Sequence, residues 1–313
     1  MSGLAAAARL AMFGKNVVIF EKHYVVGGLN SFFARKGRKF DVGLHAVTNF
    51  PSPHSGKTSP LLRACRQLRI PFDSLKLYPQ SHSRISFQGR DLHFNNDFSY
   101  FLSEIEENFP KEKDQFQNFL RKMDEFDAYS VSVPDISART ILKETFSDPL
   151  LGEMLLCPTC YYGSAQENDI DFATFVMLFD AIFKQGLARP SMGIRAILNP
   201  LVKKISQLGV KRLMNSGVKK INSSHDQVTE IVMENGDIFT ADRIISTCGA
   251  VETEELLYPT KKNLRKTEHG KFSVIETISV FNGKPKDFGW EETIVFYNDS
   301  EKFSYEQPEG TID

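Results

Sequence analysis

The sequence predicts an α/β fold, in which short apolar strands alternate with amphipathic helices. An Ala-rich helical segment follows Gly3 and ends near Gly14, and a short apolar strand over residues 16–21, expected to be buried, comes directly after it. The same alternation returns later in the chain, where a helical segment over 194–208 precedes several short strand-like runs. Strands that alternate with helices are typical of a sheet covered by helices.

The first helix and strand predict a Rossmann-like dinucleotide-binding unit. In such units a glycine-rich turn leads into a helix whose amides face a pyrophosphate, and an acid about 20 residues further on accepts hydrogen bonds from a ribose. Gly3 stands where the last glycine of that turn is expected, and Glu21 ends the strand at the required distance. Since the strand and glycines that would precede Gly3 are not in the sequence, we expect it to begin inside the motif.

The bulk composition indicates an ordinary globular protein. With 313 residues, of which 41% are hydrophobic and 25% charged, the chain is long enough for two domains or one large discontinuous domain. The net charge of −1 gives no reason to expect a nucleic-acid partner. No apolar run approaches the ~20 residues of a membrane span. We expect a cytoplasmic or peripheral membrane location, although a targeting peptide could be lost with the N-terminus.

The middle of the chain is rich in phenylalanine at helical spacing. The sequence holds 26 Phe and one Trp, so its aromatic surface is mostly apolar. Apolar residues recur with the period of a helix over 98–126 and 172–183, which predicts amphipathic helices there. We interpret the phenylalanines as a hydrophobic core. The alternative is a long apolar channel for a hydrocarbon-like substrate.

Turn residues divide other segments into strands. Gly89 lies between two alternating runs and predicts a hairpin, and Asn235 and Gly236 predict a second, tight hairpin turn. The apolar run 243–249 predicts a further buried strand. Residues 51–60 are rich in Pro and Ser and indicate a boundary between domains.

The four cysteines are scattered, which suits a reducing compartment. Cys157 and Cys160 form a C-x-x-C pair, a spacing found in redox pairs and in zinc sites. No second pair and no suitably spaced histidines follow, so we interpret these residues as structural thiols and expect no metal. Asp169 or Asp171, a little further on, is expected to cap a helix.

Seven short motifs follow one another along the chain. They lie at residues 2–7, 18–22, 27–28, 40–45, 189–194, 217–221 and 241–247. In this order they resemble those of the flavin-dependent phytoene desaturase, carotenoid isomerase and retinol saturase superfamily, which shares its nucleotide-binding domain with the flavin amine oxidases. The resemblance extends over essentially the whole chain. An acid at a strand end, followed within a few residues by two glycines, is specific for this flavoprotein class.

The resemblance implies that the chain binds FAD. In the family, the position of Glu21 holds the ribose of the adenosine half, with Lys22 beside it, and the glycines matching Gly27 and Gly28 let the backbone approach the cofactor. The valine matching Val218 holds the adenine through its backbone. The expected cofactor-binding residues are Gly3, Glu21, Lys22, Gly27, Gly28 and Val218.

The resemblance also implies the domain organisation. A Rossmann-like FAD-binding domain of the glutathione reductase type is expected over 1–60 and 190–257, without its first strand. A discontinuous α+β substrate domain with a helical region is expected over 61–189 and 258–313. Its C-terminal part is expected to be missing, because the family's Gly-Asp flavin motif has no counterpart near the end of the sequence.

The implied activity is that of an FAD-dependent oxidoreductase acting on a long apolar polyene, of the carotenoid or retinoid kind, by desaturation, saturation or isomerisation. His45 is the first candidate catalytic residue, as a proton relay or polarising donor near the flavin ring; a structural histidine is the alternative. Leu29 stands where desaturases and amine oxidases commonly carry arginine, which favours the saturase and isomerase branch.

The partners implied are an apolar small molecule, an electron acceptor or donor that the sequence does not specify, and a membrane surface in peripheral contact. Two other functions stay open. An amine-oxidase-like flavoprotein acting on a polar amine would share the nucleotide-binding domain. A fragment without its first strand could instead be a non-catalytic remnant of a flavoprotein.

Overall fold

The structure, a computed structural model, describes residues 1–51, 59–130, 132, 134–224, 227–258 and 274–307. Contacts between residues divide the chain into two compact units. The first contains the described residues of Met1–Ala46, Leu62–Tyr78 and Arg189–His269, and the second contains those of Val47–Leu61, Pro79–Ala188 and Gly270–Asp313. Most of the boundary expected at 51–60 lies outside the described residues.

Helices and strands are numbered in chain order. The helices are α1 (Ser2–Met12), α2 (Pro60–Leu68), α3 (Phe98–Asn108), α4 (Lys113–Glu125), α5 (Ala138–Thr145), α6 (Pro149–Gly163), α7 (Phe172–Phe179), α8 (Arg195–Gln207) and α9 (Ala250–Leu257). The strands are β1 (Val18–Phe20), β2 (Phe32–Arg35), β3 (Arg38–Asp41), β4 (Leu77–Pro79), β5 (Ser83–Phe87), β6 (Arg90–Phe94), β7 (Ala188–Ile194), β8 (Lys211–Leu213), β9 (Val218–Ser224), β10 (Gln227–Met233), β11 (Ile238–Phe239) and β12 (Val295–Tyr297).

The first unit combines helices with parallel and antiparallel strands. Helices α1 and α8 pack against each other, and β1 pairs in parallel with β8. The buried face of α1 consists of Leu4, Ala7 and Ala8, whose small side chains allow close packing. Strands β9, β10 and β11 form an antiparallel sheet, with the predicted turn at Asn235 and Gly236 between β10 and β11. The α/β character expected from the sequence is confirmed.

The second unit is organised around phenylalanine. Strands β12, β5 and β6 form its three-stranded sheet, and the predicted hairpin at Gly89 joins β5 to β6. The rings of Phe101 and Phe183 stack with their centroids 4.5 Å apart. The interpretation of the phenylalanines as a core is confirmed for the largest fully buried side chains, which include Phe94, Phe101, Phe116, Phe119, Phe175, Phe179, Phe183 and Phe303.

Aspartates fix where the helices of the second unit begin. The carboxylate of Asp97 accepts the backbone N–H of Ser99 at the start of α3, and that of Asp171 accepts the N–H of Thr174 at the start of α7, both at 3.0 Å. Such caps satisfy amides that have no partner inside the helix. The predicted cap at Asp171 is therefore confirmed. The helix predicted over 172–183 changes at Asp180, where a π-helical turn carries the chain to Lys184.

Two expectations about burial were wrong. Residues 243–249 do not form a buried strand: they are irregular, and Ile245 is 59% exposed. Among the described residues no strand pairs with this segment, so its backbone has no ladder to join. Strand β1 forms as predicted, but Val18 is 39% exposed because β8 is its one strand neighbour in the described part of the chain.

Candidate functional site

The N-terminus of α1 presents backbone amides to its surroundings. Met1 occupies the N-cap position and gives no side-chain hydrogen bond to the helix. The first amides of a helix have no acceptor within it, and together with the helix dipole they favour an anion. A Cβ on Gly3 would come within 3.0 Å of Oγ1 of Thr247, so glycine lets α1 approach the 243–249 segment closely.

Glu21 lies next to this helix terminus, at the end of β1. Burial lowers the pKa of the Met1 amino group below its ordinary value, and the Glu21 carboxylate offsets part of this effect electrostatically. The backbone of Glu21 is fixed on both sides: its N–H donates to Leu213 O at 2.9 Å, and its carbonyl accepts the N–H of Ser216 at 2.8 Å. Oε1 accepts the N–H of His23 at 2.9 Å. The acid is therefore held by the parallel pair β1–β8.

Lys22 is joined to the β10–β11 turn. Its Nζ lies 2.8 Å from Oε1 of Glu234, and this partner raises the pKa of the Lys22 ammonium. Glu234 in turn lies over Gly217, where a Cβ would come within 2.5 Å of the Glu234 carboxylate carbon. Val218 follows as the first residue of β9 and pairs with Met233.

A cavity of about 310 Å³ is lined by Gly217, which precedes Val218, and by Met233, its partner in β10. Its wall combines backbone and polar groups from the end of β8 and from the β10–β11 turn. The lining residues are Leu213, Asn215, Ser216, Gly217, Met233, Glu234, Asn235, Asp237 and Phe239. Glu234 and the turn after β8 could not be predicted as parts of this site, because nothing in the local sequence marks them as neighbours of Lys22.

The Gly27–Gly28 pair adopts a backbone that favours glycine. The φ angles are 123° at Gly27 and 61° at Gly28, both in the left-handed region. A Cβ on Gly27 would come within 2.5 Å of Asn30 O, whereas one on Gly28 would meet nothing within 4 Å. Gly28 therefore leaves its backbone open to a ligand, and the neighbouring Leu29 is 88% exposed.

Two buried polar atoms without hydrogen-bond partners in the described part of the chain belong to Asp41, at the end of β3, and to Arg195, at the start of α8. These atoms are Asp41 Oδ1 and Arg195 Nη1. The Asp41 carboxylate lies against Gly193, and the Arg195 guanidinium lies over the ring of Phe32, 5.1 Å from its centroid. Phe32 and Asp41 are directly opposed in the β2–β3 hairpin. Burying two unpartnered polar groups costs free energy, which indicates that a ligand or water supplies their missing hydrogen bonds.

His45, the candidate catalytic residue, is exposed and belongs to the same compact unit as Glu21 and Gly27. The residues present fit a dinucleotide. Amides for a pyrophosphate, an acid beside them, an open glycine backbone and two unpartnered buried polar atoms all occur in the first unit. The expected set thus lies in one compact unit, and the functional role of each member remains a prediction.

The C-x-x-C pair belongs to the second unit. Cys157 and Cys160 are both fully buried in α6 of the second unit. Burial raises the pKa of both thiols, that of Cys160 to about 12. Among the described residues, no group of three or more His, Cys, Asp or Glu side chains could hold a metal ion. In the same part of the chain, no helix has the length and apolarity that crossing a membrane requires.

Comparison with known proteins identifies the family. The chain belongs to the flavin containing amine oxidoreductase family, whose sequence profile matches residues 1–290. It is 23% identical over 287 residues to "Prolycopene isomerase 2, chloroplastic" of an Oncidium hybrid cultivar, covering 81% of this chain and 47% of that protein. It is 25% identical over 295 residues to "Phytoene desaturase" of Neurospora crassa, covering 82% and 48%.

The fold is shared with the solved structure of an oxidoreductase. An oxidoreductase from Methanosarcina mazei superposes with a TM-score of 0.62 at 19% identity, over 84% of this chain and 60% of that one. The chain spans about half the length of the curated relatives that it matches. The predicted superfamily and its FAD cofactor are confirmed by these matches.

Proposed function

We propose that the first unit binds the adenosine diphosphate half of FAD. The observation that carries this proposal is the meeting of three elements in one unit: the N-terminus of α1, Glu21 at the end of β1, and Val218 beside the cavity of about 310 Å³. Glu21 would accept the ribose hydroxyls, and the amides of α1 would receive the pyrophosphate. The open backbone at Gly28 would lie against the same pyrophosphate.

The reaction proposed is desaturation, saturation or isomerisation of a long apolar polyene. The names of two relatives, a prolycopene isomerase and a phytoene desaturase, support this substrate class. When bound, the flavin would supply the redox chemistry. The chain's own part would be to hold the cofactor, orient it and exclude water. The proposal assigns cofactor binding to residues 1–60 and 190–257 and substrate binding to the second, Phe-rich part of the chain.

His45 is proposed as a proton relay for this reaction. It follows the β3 strand end where Asp41 and Arg195 leave polar atoms without partners. A histidine exchanges protons near neutral pH, which suits a step that moves a proton at an unactivated carbon. Replacing His45 with Gln, which keeps a polar side chain but removes the imidazole that would carry the proton, should lower the turnover number. Unchanged turnover would give His45 a structural role.

Cofactor binding is tested with Glu21→Ala and two flavins. Because the carboxylate would contact the adenosine ribose, which FMN lacks, we expect FAD to bind about tenfold more weakly and FMN with unchanged affinity. Quenching of flavin fluorescence measures both. Glu255→Gln, which changes an exposed acid of α9, serves as the control. Equal affinities of wild type and Glu21→Ala for FAD would refute the proposed ribose contact.

The substrate class is tested separately. The polyene series is incubated without oxygen with protein loaded either with oxidised flavin, which accepts the two electrons of desaturation, or with flavin reduced by dithionite, which supplies the two electrons of saturation. Aliphatic amines are incubated with the oxidised protein in air, and all products are separated by chromatography. Changes in the number or geometry of the polyene double bonds would support the proposal. Oxidation of an amine with release of hydrogen peroxide in air would overturn it in favour of the amine-oxidase alternative.

A further inference from the structure

Strands β2 and β3 form an exposed hairpin with an unusual concentration of positive charge. Its tip, residues 35–39, carries four cations and one glycine, and every residue from 33 to 39 is exposed. The turn at Lys36 and Gly37 has φ angles of 50° and 75°. Two consecutive positive φ angles match the twist of the strands and make a tight two-residue turn. The hairpin, called the basic hairpin below and comprising residues 32–41, therefore has a defined shape.

The register places like charges opposite each other. Arg35 and Arg38 are directly paired across the hairpin. Like charges directly opposite each other destabilise a sheet. Among the described residues, no Asp or Glu forms an ion pair with Arg35 or Arg38, and none forms one with Lys36 or Lys39. The opposed arginines destabilise the hairpin and have no counter-charge within the described residues. This indicates that an external anion binds them.

Aromatic side chains lie on the same face as the arginines. Phe33 and Phe40 are paired two residues further along each strand. Because side chains alternate along a strand, they project to the same side as Arg35 and Arg38. Their rings stack with centroids 5.4 Å apart, and Phe33 is 39% exposed. An apolar ring beside cations with long apolar stems matches the boundary between lipid headgroups and acyl chains.

Charge is distributed unevenly over the chain as a whole. The formal net charge is −1. Yet Lys and Arg outnumber Asp and Glu by about two to one among the described residues of the first unit, and the ratio is reversed in the second. A large anionic surface would attract the first unit and repel the second. The field of the protein therefore adds to the local charge of the basic hairpin.

We propose that the basic hairpin docks on an anionic phospholipid bilayer, with Arg35 and Arg38 on lipid phosphates and Phe33 in the headgroup layer. Guanidinium groups suit phosphate because their paired N–H groups match its oxygens. A bilayer fits better than a single soluble phosphate because the hairpin tip is exposed on all sides and offers an aromatic ring beside the charges. This docking is independent of the proposed catalytic function.

The test is vesicle co-sedimentation of the full protein. Vesicles of pure phosphatidylcholine are compared with vesicles containing about 30 mol% phosphatidylserine. The double variant Arg35→Glu/Arg38→Glu should bind the anionic vesicles at least about thirtyfold more weakly than wild type, since each of the two cations lost near an anionic surface adds roughly 1 kcal/mol. The control is Lys219→Glu/Lys220→Glu, which makes the same charge change at two exposed lysines of β9 and should bind within about threefold of wild type.

One further variant separates the apolar from the electrostatic contribution to vesicle binding, and a second controls for misfolding. Phe33→Ser should weaken binding by a factor that high salt does not remove, because insertion of the ring is apolar. Arg35→Glu alone should fold at least as stably as wild type, since it replaces a repulsive pair with an attractive one, and this guards against loss of binding through misfolding.

The outcomes decide the proposal. Equal loss in the hairpin and control variants would assign binding to overall charge and overturn the assignment to the hairpin. Equal binding to neutral and anionic vesicles would overturn it too, as would wild-type binding by the arginine double variant. Selective retention of the protein by an acidic polypeptide, with no binding to phosphatidylserine vesicles, would replace the bilayer with a protein partner.

Discussion

The carboxylate of Asp41 lies directly against the α-carbon of Gly193. Gly193 has a φ of 62°, in the left-handed region, and a Cβ added there would overlap the carboxylate. The two residues are far apart in sequence, yet their contact joins the end of β3 to the end of β7. Glycine is therefore required at position 193 for two reasons, one conformational and one steric.

Replacing Gly193 with Ala should destabilise the protein by about 3 kcal/mol. Of this, roughly 1–2 kcal/mol comes from forcing a residue with a Cβ into the left-handed region, and the rest from overpacking. Gly209→Ala is the matched control, because Gly209 has a φ of 73° but nothing lies within 4 Å of an added Cβ. Urea unfolding measures both, and only Gly193→Ala should show the steric part.

The steric part should depend on Asp41. If the collision is with the carboxylate, then Gly193→Ala combined with Asp41→Ala should lose less free energy of unfolding than the two single changes summed. Strict additivity would contradict this account and assign the whole cost of Gly193→Ala to its backbone conformation.

Replacing Glu112 with Ala should cost about 2–4 kcal/mol of unfolding free energy. Glu112 is 1% exposed, and its carboxylate accepts the N–H groups of Ser147 (3.2 Å) and Asp148 (2.8 Å) and the Ser147 hydroxyl. These groups precede α6, so removal of the carboxylate leaves buried donors without an acceptor. Denaturant unfolding of the variant measures the loss.

The control for Glu112 is a surface acid. Glu106 lies 2.9 Å from Lys113, but both side chains are about half exposed. Exposed ion pairs contribute about 0–1 kcal/mol, so Glu106→Ala should change the free energy of unfolding little. Similar losses for Glu106→Ala and Glu112→Ala would contradict the role given to buried donors.

Elements set by local sequence could be predicted. Helices α3 and α4 follow from the spacing of apolar residues over 98–126, and the β5–β6 and β10–β11 hairpins follow from turns at Gly89 and at Asn235 and Gly236. Each depends on residues close in sequence, where periodicity and turn chemistry suffice. The same locality made Asp171 recognisable as a helix cap.

Features that need distant partners could not be predicted. The run 243–249 has the composition of a buried strand, but a strand requires a neighbour, and sequence composition does not supply one. The contact of Lys22 with Glu234 and that of Asp41 with Gly193 join segments about 150 residues or more apart. The glycines and Glu21 could be proposed from the sequence because their spacing matches one compact local pattern, and their role in cofactor binding stays a prediction.

The thiols should differ strongly in reactivity. Cys157 and Cys160 are fully buried with raised pKa values, whereas Cys248 is exposed. Because the thiolate is the reactive form, iodoacetamide at about pH 8 should label Cys248 and leave the α6 pair unlabelled until urea unfolds the protein. Peptide mass spectrometry measures the labelling. Equal labelling of Cys157 and Cys248 in the folded protein would contradict the buried placement of α6.

Stability should fall in alkaline solution, between about pH 9 and pH 12. Burial raises the pKa of Cys160 from 9.0 to about 12 and that of Tyr162 from 10.0 to about 12. Above its ordinary pKa each group stays protonated in the folded chain and loses its proton in the unfolded one. The unfolded state then binds fewer protons, so the free energy of unfolding decreases with pH, by at most about 1.4 kcal/mol per unit and group.

Tyr162→Phe tests the contribution of the tyrosine. Removing the hydroxyl should make the decrease above pH 10 shallower, because one proton difference between the folded and unfolded states is lost. Tyr297→Phe, at a tyrosine that is 65% exposed, is the matched control and should follow the wild-type curve. Urea unfolding at several alkaline pH values gives the slopes. If Tyr162→Phe and Tyr297→Phe have the same slope, the alkaline loss of stability does not come from the buried Tyr162 hydroxyl.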